Sequence, residues 1–249
     1  MSSDENPQPG QGVAEAPRRQ PIFNLPAAVA AVAGLFLAVT AADSLVLNDS
    51  GREALFAWFA FVPYRLVEPA GLPGGIWPLL WTPVTHAFLH AGWEHVLLNT
   101  VWFVIFATPV VHRYGAVRML VLFLVGAIAG AAAFAATTLP HIAVLVGASG
   151  GVAGLTGAAV RFIFQPVQVA IHPETDERVL LGRRLATIRE VFAHPTARIF
   201  TITWVALNGI VPLLPIFMSG MQVEIAWQAH LAGFLAGFLL VPLFERRGA

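Results

Sequence analysis

Long uninterrupted apolar blocks, separated by short polar stretches, dominate this chain. A helix needs roughly 20 apolar residues in a row to cross the hydrocarbon core of a bilayer. Windows at about 25–47, 95–111, 117–138, 197–219 and 225–244 meet that length, and a shorter one lies at about 147–164. Between Met119 and Val160 there is no Asp, Glu, Lys or Arg, a run too long for one crossing. Thr137-Thr138-Leu139-Pro140-His141 interrupts it with polar residues and a proline, so the run reads as two helices joined by a hairpin. The expected fold class is an all-α membrane protein, a bundle of six transmembrane helices. Only a miscount of the aromatic stretch at 54–81 would change that number to five or seven.

The polar stretches set the domain limits and the orientation. Residues 1–24 are rich in Pro, Gln, Ser and Gly and carry Asp4, Glu5, Glu15, Arg18 and Arg19, too little apolar content for a core. They read as a disordered cytoplasmic tail, and 25–249 as the membrane domain. The first apolar stretch is too long for a signal-peptide core and no small-residue cleavage site follows it, so it is expected to stay as an anchor. Cytoplasmic loops hold the excess of basic residues. With the N-terminus inside, twelve arginines fall on the inner side (18, 19, 113, 118, 161, 178, 183, 184, 189, 198, 246 and 247), against Arg52 and Arg65 outside. That bias requires an even number of spans and places both termini in the cytoplasm. The outer loop 48–94 carries Trp58, Phe59, Phe61, Trp77, Trp81 and Trp93, residue types that favour the headgroup layer, so part of it should lie in the interface. The inner loop 165–197 is charged and should be solvated.

Composition agrees and removes several functions. Of 249 residues, 57% are hydrophobic and 11% charged, and the mean hydropathy is +0.72, far more apolar than a soluble domain. Acids and bases balance at 14 each, so no overall field attracts nucleic acid. The absence of cysteine excludes disulfides, thiolate metal sites and a cysteine nucleophile.

Ionisable and nucleophilic groups inside a membrane are costly and are functional candidates for that reason. In the six-span topology the second, fourth and sixth helices start at the same depth near the outer face. His95 and Asn99 begin the second, Ser149 begins the fourth, and His230 lies in the first two turns of the sixth. His230, Gly233 and Gly237 share one face, and Ser149, Ala153 and Gly157 form a second small-residue stripe. Small stripes let membrane helices approach closely, which is also all that such glycines need do. Stripe on stripe would set His230 beside Ser149. A serine hydroxyl needs a base within hydrogen-bond reach, and neutral His230 can serve. His95 and Asn99, with the Ser149 backbone N–H, could donate to an oxyanion, although interhelical hydrogen bonding is an equally ordinary use of both side chains. Glu224 is off the face of His230, so a dyad describes the pair better than a triad. Gly147-Ala148-Ser149-Gly150-Gly151 also fits the G-x-S-x-G nucleophile elbow, but no strand or soluble α/β sheet surrounds it.

These residues closely resemble the rhomboid intramembrane proteases. Gly147-Ala148-Ser149-Gly150 looks like their G-x-S-G motif, Ala229-His230-Leu231-Ala232-Gly233 with Gly237 like their A-H-x-x-G-x-x-x-G helix, and His95 with Asn99 like their H-x-x-x-N. His86 and His90 fall at family spacing before His95, and the likeness runs over roughly 77–244. It implies a six-helix rhomboid-like bundle with a water-filled cavity open to the outer face, Ser149 as nucleophile, His230 as general base and acid, and His95 and Asn99 in the oxyanion hole. Gly147, Gly150, Gly233 and Gly237 would pack the helices at the site. It further implies membrane-anchored protein substrates, the lipid bilayer as surroundings, no metal or organic cofactor, and a multi-pass protein of the cell membrane. Two positions depart from the family pattern: Thr82 follows Trp81 where an arginine is common, and Ala153 replaces the aromatic ring on which the imidazole commonly stacks. The rival within the family is an inactive rhomboid-like protein that binds transmembrane clients, which would need neither Ser149 nor His230. A metal or transport site at His86, His90 and His95 lacks a carboxylate or cysteine to complete it, so histidines that brace the first outer loop are the simpler expectation.

The arginine asymmetry gives a direct expectation: a reporter fused after Arg189 reads out in the cytoplasm. A signal from the outer side would separate the helix ends that carry His95, Ser149 and His230.

Overall fold

The computed structural model describes residues 25–171, 176, 178–209 and 226–245. The expected tail at 1–24, Glu224 and the part of the fifth span beyond Gly209 lie outside the described residues.

Helix α1 (Ala27–Leu45) is followed by α2 (Asp49–Phe59), short 3₁₀ turns and the single turn α3 (Thr82–Thr85). The long helices α4 (Trp93–Tyr114) and α5 (Ala116–Thr138) come next, then α6 (Ser149–Ile163). Strands β1 (Val167–Ile171) and β2 (Arg178–Arg183) precede α7 (Ile188–Ala193), α8 (Pro195–Gly209) and α9 (Trp227–Leu240), which closes with a 3₁₀ turn. Among the described residues four segments are long and apolar enough to cross a membrane: α1, α4, α5 and Trp227–Phe244. The polar break after Thr138 does end α5, and Gly115 separates α4 from α5.

One expectation needs correction. The all-α reading missed an antiparallel hairpin, β1 with β2, inside the loop taken as plain solvated chain. Its alternating β-branched residues Val167, Val169 and Ile171 favour an extended, pleated backbone, but a two-stranded unit is too short to stand out against the apolar blocks. The outer loop, in turn, is largely helical turns. Its organiser is Arg65, fully buried, whose guanidinium donates to the carbonyls of Ala57 (2.5 Å), Pro73 (2.6 Å) and Gly75 (2.7 Å). Trp81 stacks on Trp58 and donates to its carbonyl at 2.7 Å. The loop thus has a buried guanidinium although Thr82 stands where an arginine is common.

At the centre is α6, 15 residues long, in which every residue from Gly150 to Phe162 is buried. Such a helix is enclosed by protein and needs small side chains more than apolar ones. Gly150 meets Gly233 and Gly154 meets Gly237 at backbone contact, so α6 and α9 run in the same direction. A Cβ at Gly126 would stand 2.8 Å from the Gly150 carbonyl, and one at Gly130 2.9 Å from that of Ala229, which brings α5 against both. The contact stripe on α6 is Gly150, Gly154 and Gly157 rather than Ser149, Ala153 and Gly157. An aromatic cluster of Phe36, Phe88, Phe103 and Phe123 fills the space between α1, the outer loop, α4 and α5. At the other end of α6, Arg161 donates to the carbonyls of Ala186 and Phe238, both at 2.7 Å, and pins the chain after the hairpin to α9.

A methyl group at Gly237 would overlap the Gly154 carbonyl, whereas nothing lies within 4 Å of one at Gly34 on the outer face of α1. Gly237→Ala is therefore expected to destabilise by about 3 kcal/mol, the upper range of overpacking. Gly34→Ala should be neutral or stabilise by up to about 1 kcal/mol through helix propensity. Thermal unfolding in detergent compares them, and equal melting points would refute the glycine contact.

Candidate active site

The candidate residues converge because three helices begin together. Ser149 is the first residue of α6, and the parallel α6–α9 contact leaves His230, the fourth residue of α9, one turn before the Gly150–Gly233 crossing. His95 and Asn99 occupy the first two turns of α4.

The residues before Ser149 are hung from the outer loop. Phe61 and Leu145 exchange backbone hydrogen bonds of 3.1 and 2.9 Å, the Gly147 N–H donates to the His86 carbonyl at 2.9 Å, and the Ala148 N–H donates to His90 Nε2 at 3.4 Å. His86 is itself fixed, its Nδ1–H donating to the Thr82 carbonyl at 2.9 Å. The upstream histidines therefore brace, and what they hold is the approach to Ser149. Histidine, cysteine and carboxylate groups sufficient for a metal site do not occur among the described residues.

Gly147 has a different part from the helix packing expected of it. Its φ of 112° lies in the left-handed region that favours glycine. A Cβ there would stand 2.7 Å from Nε2 and Cε1 of His95 and 3.9 Å from Nδ2 of Asn99. Only glycine lets the chain pass so close to His95, with Asn99 at ordinary contact distance. His95 Nδ1 accepts the Ala91 N–H at 3.4 Å, which puts the ring proton on Nε2, the nitrogen that faces Gly147. Asn99 Nδ2 spends one N–H on the His95 carbonyl at 3.0 Å, within its own helix, and keeps a second. No interhelical hydrogen bond of Asn99 is found among the described residues. The His90 and His95 rings meet edge-on at 5.2 Å. A depression of about 330 Å³ lined by Ala91–His95 opens beside His95.

His230 is held less firmly. Its Nδ1 is buried without a hydrogen-bond partner, and neither a carboxylate nor an aromatic ring engages it among the described residues. Ala153 instead packs with Phe234 and Phe238. No hydrogen bond joins Ser149 to His230 among the described residues, although catalytic contacts are often loose without substrate.

A family model for the Rhomboid domain matches residues 78–247. The chain belongs to the rhomboid family. Similar proteins include Rhomboid-related protein 3 of Homo sapiens, 35% identical over 79 residues, which are 32% of this chain and 19% of that protein. RHOMBOID-like protein 1 of Arabidopsis thaliana is 26% identical over 166 residues, 66% of this chain and 34% of that protein. The chain therefore covers well under two thirds of the length of either relative. Membership makes this rhomboid a multi-pass integral membrane protein. What sequence reasoning missed is the backbone role of the outer loop: Phe61 pairs with Leu145 through amides and carbonyls, and the Arg65 guanidinium holds three loop carbonyls, partners that residue types do not advertise.

Burial pushes the His86 imidazole down to about 4 and, with His95 beside it, the His90 imidazole down to about 3. Both are neutral in the folded protein near pH 7, as the Ala148–His90 hydrogen bond requires. An unfolded histidine titrates near 6.5, so between roughly 6.5 and 3 the unfolded chain binds more protons. Thermal stability is expected to hold above about pH 6.5 and to fall as the pH drops toward 3, with His86→Gln or His90→Gln flattening part of the decline. An identical pH profile in both variants would refute the assignment.

Proposed function

We propose that this rhomboid is an intramembrane serine endopeptidase that hydrolyses peptide bonds in or near transmembrane segments of membrane-anchored proteins. The observation that carries the reading is the passage of Gly147 against His95 and Asn99, directly before a serine at a helix start. Two N–H donors then face the position where a carbonyl oxygen would sit as Ser149 attacks its carbon.

In this reading Ser149 Oγ adds to the scissile carbonyl while His230 takes the hydroxyl proton. The oxyanion is held by His95 Nε2–H, the free N–H of Asn99 and the Ser149 backbone N–H. His230 returns the proton to the leaving amine as the C–N bond breaks, which leaves an acyl group on Ser149. Water, deprotonated by His230, releases it and restores the serine. None of these steps calls for a metal or organic cofactor. The arrangement belongs to a domain of 25–249 with six spans, both termini cytoplasmic and the site open to the extracytoplasmic side of the cell membrane. The enclosure of α6 supports counting it as a span despite its 15 residues.

The missing Ser149–His230 hydrogen bond favours the other reading, a client-binding rhomboid without activity, so the two need a decisive comparison. Purified wild type is expected to cleave a panel of membrane-anchored substrates and to be labelled on Ser149 by a fluorophosphonate. Ser149→Ala and His230→Ala should each abolish cleavage, with the double variant little worse than either, because the pair acts as a unit. Asn99→Ala should cost on the order of a hundred- to a thousand-fold in turnover per folded enzyme with apparent affinity near wild type. Folded wild-type protein that neither cleaves nor takes the label would establish the client-binding reading. A lowered melting point with unchanged turnover in Asn99→Ala would refute the oxyanion role.

A further inference from the structure

A cavity of about 660 Å³ lies away from Ser149 and His230. It is formed where α4 and α6 end, α5 begins, β2 passes and the 3₁₀ turn after α9 finishes. Since α4, α6 and α9 all start at the candidate active site, this cavity is at the opposite end of the bundle, where the helices leave the hydrocarbon.

Its chemistry is that of an anion site with apolar walls. Arg113, Arg118 and Arg183 line it with Glu245 as the one acid among its described lining residues, a balance of +2 from these four groups. Glu245 is already used: it accepts from Arg113 Nε (3.1 Å) and Nη2 (2.8 Å) and from the Tyr114 hydroxyl (2.5 Å). Arg113 also donates to the Arg183 carbonyl, and Arg183 to that of Ile163, which fixes both guanidinium groups at the rim. Arg118 is half-buried and makes no hydrogen bond or ion pair among the described residues. A cation held in a cavity with its donors unspent is suited to phosphate oxygens. Pro109, Phe162 and Phe244 supply the apolar wall, and Val117 and Leu243, beside Arg118 and Phe244 in sequence, are 74% and 77% exposed. A free phosphate would leave that apolar surface unused. A ligand with a charged head and hydrocarbon tails uses both.

We propose that this cavity binds the phosphate-bearing headgroup of an anionic phospholipid, with Arg118 as the principal contact and the acyl chains lying along Val117 and Leu243. The site is independent of Ser149 chemistry and would exist equally in an inactive protein. Basic pockets between membrane helices on the cytoplasmic side commonly take such headgroups.

The test is lipid binding by the purified full chain in detergent, followed by native mass spectrometry with phosphatidylglycerol and phosphatidylcholine of the same acyl chains. Phosphatidylglycerol is expected to bind roughly tenfold tighter than phosphatidylcholine, and Arg118→Gln to weaken it roughly fivefold without changing phosphatidylcholine binding. Arg118→Glu should weaken it roughly 30-fold, with the melting point of the lipid-free protein unchanged because Arg118 has no hydrogen-bond or ion-pair partner to lose among the described residues. Equal binding of the two lipids, or wild-type affinity in Arg118→Glu, would overturn the proposal. Displacement of the lipid by an equal concentration of glycerol phosphate would assign the cavity to a soluble phosphate and overturn the lipid assignment.

Discussion

Backbone contact between α6 and its neighbours is the constraint on which the rest of the structure depends. At Gly150–Gly233 and Gly154–Gly237 two helices touch without side chains between them, and Gly126 brings α5 to the same point. In lipid the hydrophobic effect gives helices little reason to associate, so close packing has to supply the affinity. Contact at this range also fixes register and direction. A slip of one residue on either helix would drive a Cβ into a carbonyl. The common level of Ser149 and His230 follows from that register.

A second set of bonds, independent of the first, shapes the segment that leads to Ser149. It is paired with Phe61, His86 and His90 of a loop 58 to 84 residues earlier in the chain. That loop is in turn tied by Arg65 to three carbonyls. Buried polar groups are expensive unless satisfied, and here loop carbonyls accept from Arg65 and His86 while His90 Nε2 accepts from the Ala148 N–H. The donors around Gly147 are consequently preorganised by parts of the chain that never reach the candidate nucleophile.

Much of the fold was legible from the sequence, since crossing a bilayer leaves a mark of length and apolarity that few other demands imitate. α1, α4, α5 and α9 stand where the apolar windows put them. The positions of Ser149, His95, Asn99 and His230 at three helix starts were legible too, through spacing and order. The hairpin was not, because five- and six-residue strands carry little periodic signal. Nor was the true contact stripe on α6: Ser149, Ala153 and Gly157 are all small, as are Gly150 and Gly154, and nothing in residue size distinguishes one face from the next. Gly147 misled for a related reason. A glycine that permits a left-handed turn and one that admits a neighbouring helix look identical in a sequence.

The brevity of α6 has a consequence for depth. At 1.5 Å per residue, its 15 residues extend for roughly 22 Å, short of the roughly 30 Å of hydrocarbon that a full crossing must span. A lipid-facing helix of that length would thin the bilayer around it, but α6 is buried among its neighbours from Gly150 to Phe162 and has no such obligation. If its inner end, anchored by Arg161, lies at one headgroup layer, then Ser149 lies several ångströms below the other. Immersion of the serine is thus set by where a helix begins, and lengthening α6 by a single turn would raise it toward the surface by about 5 Å.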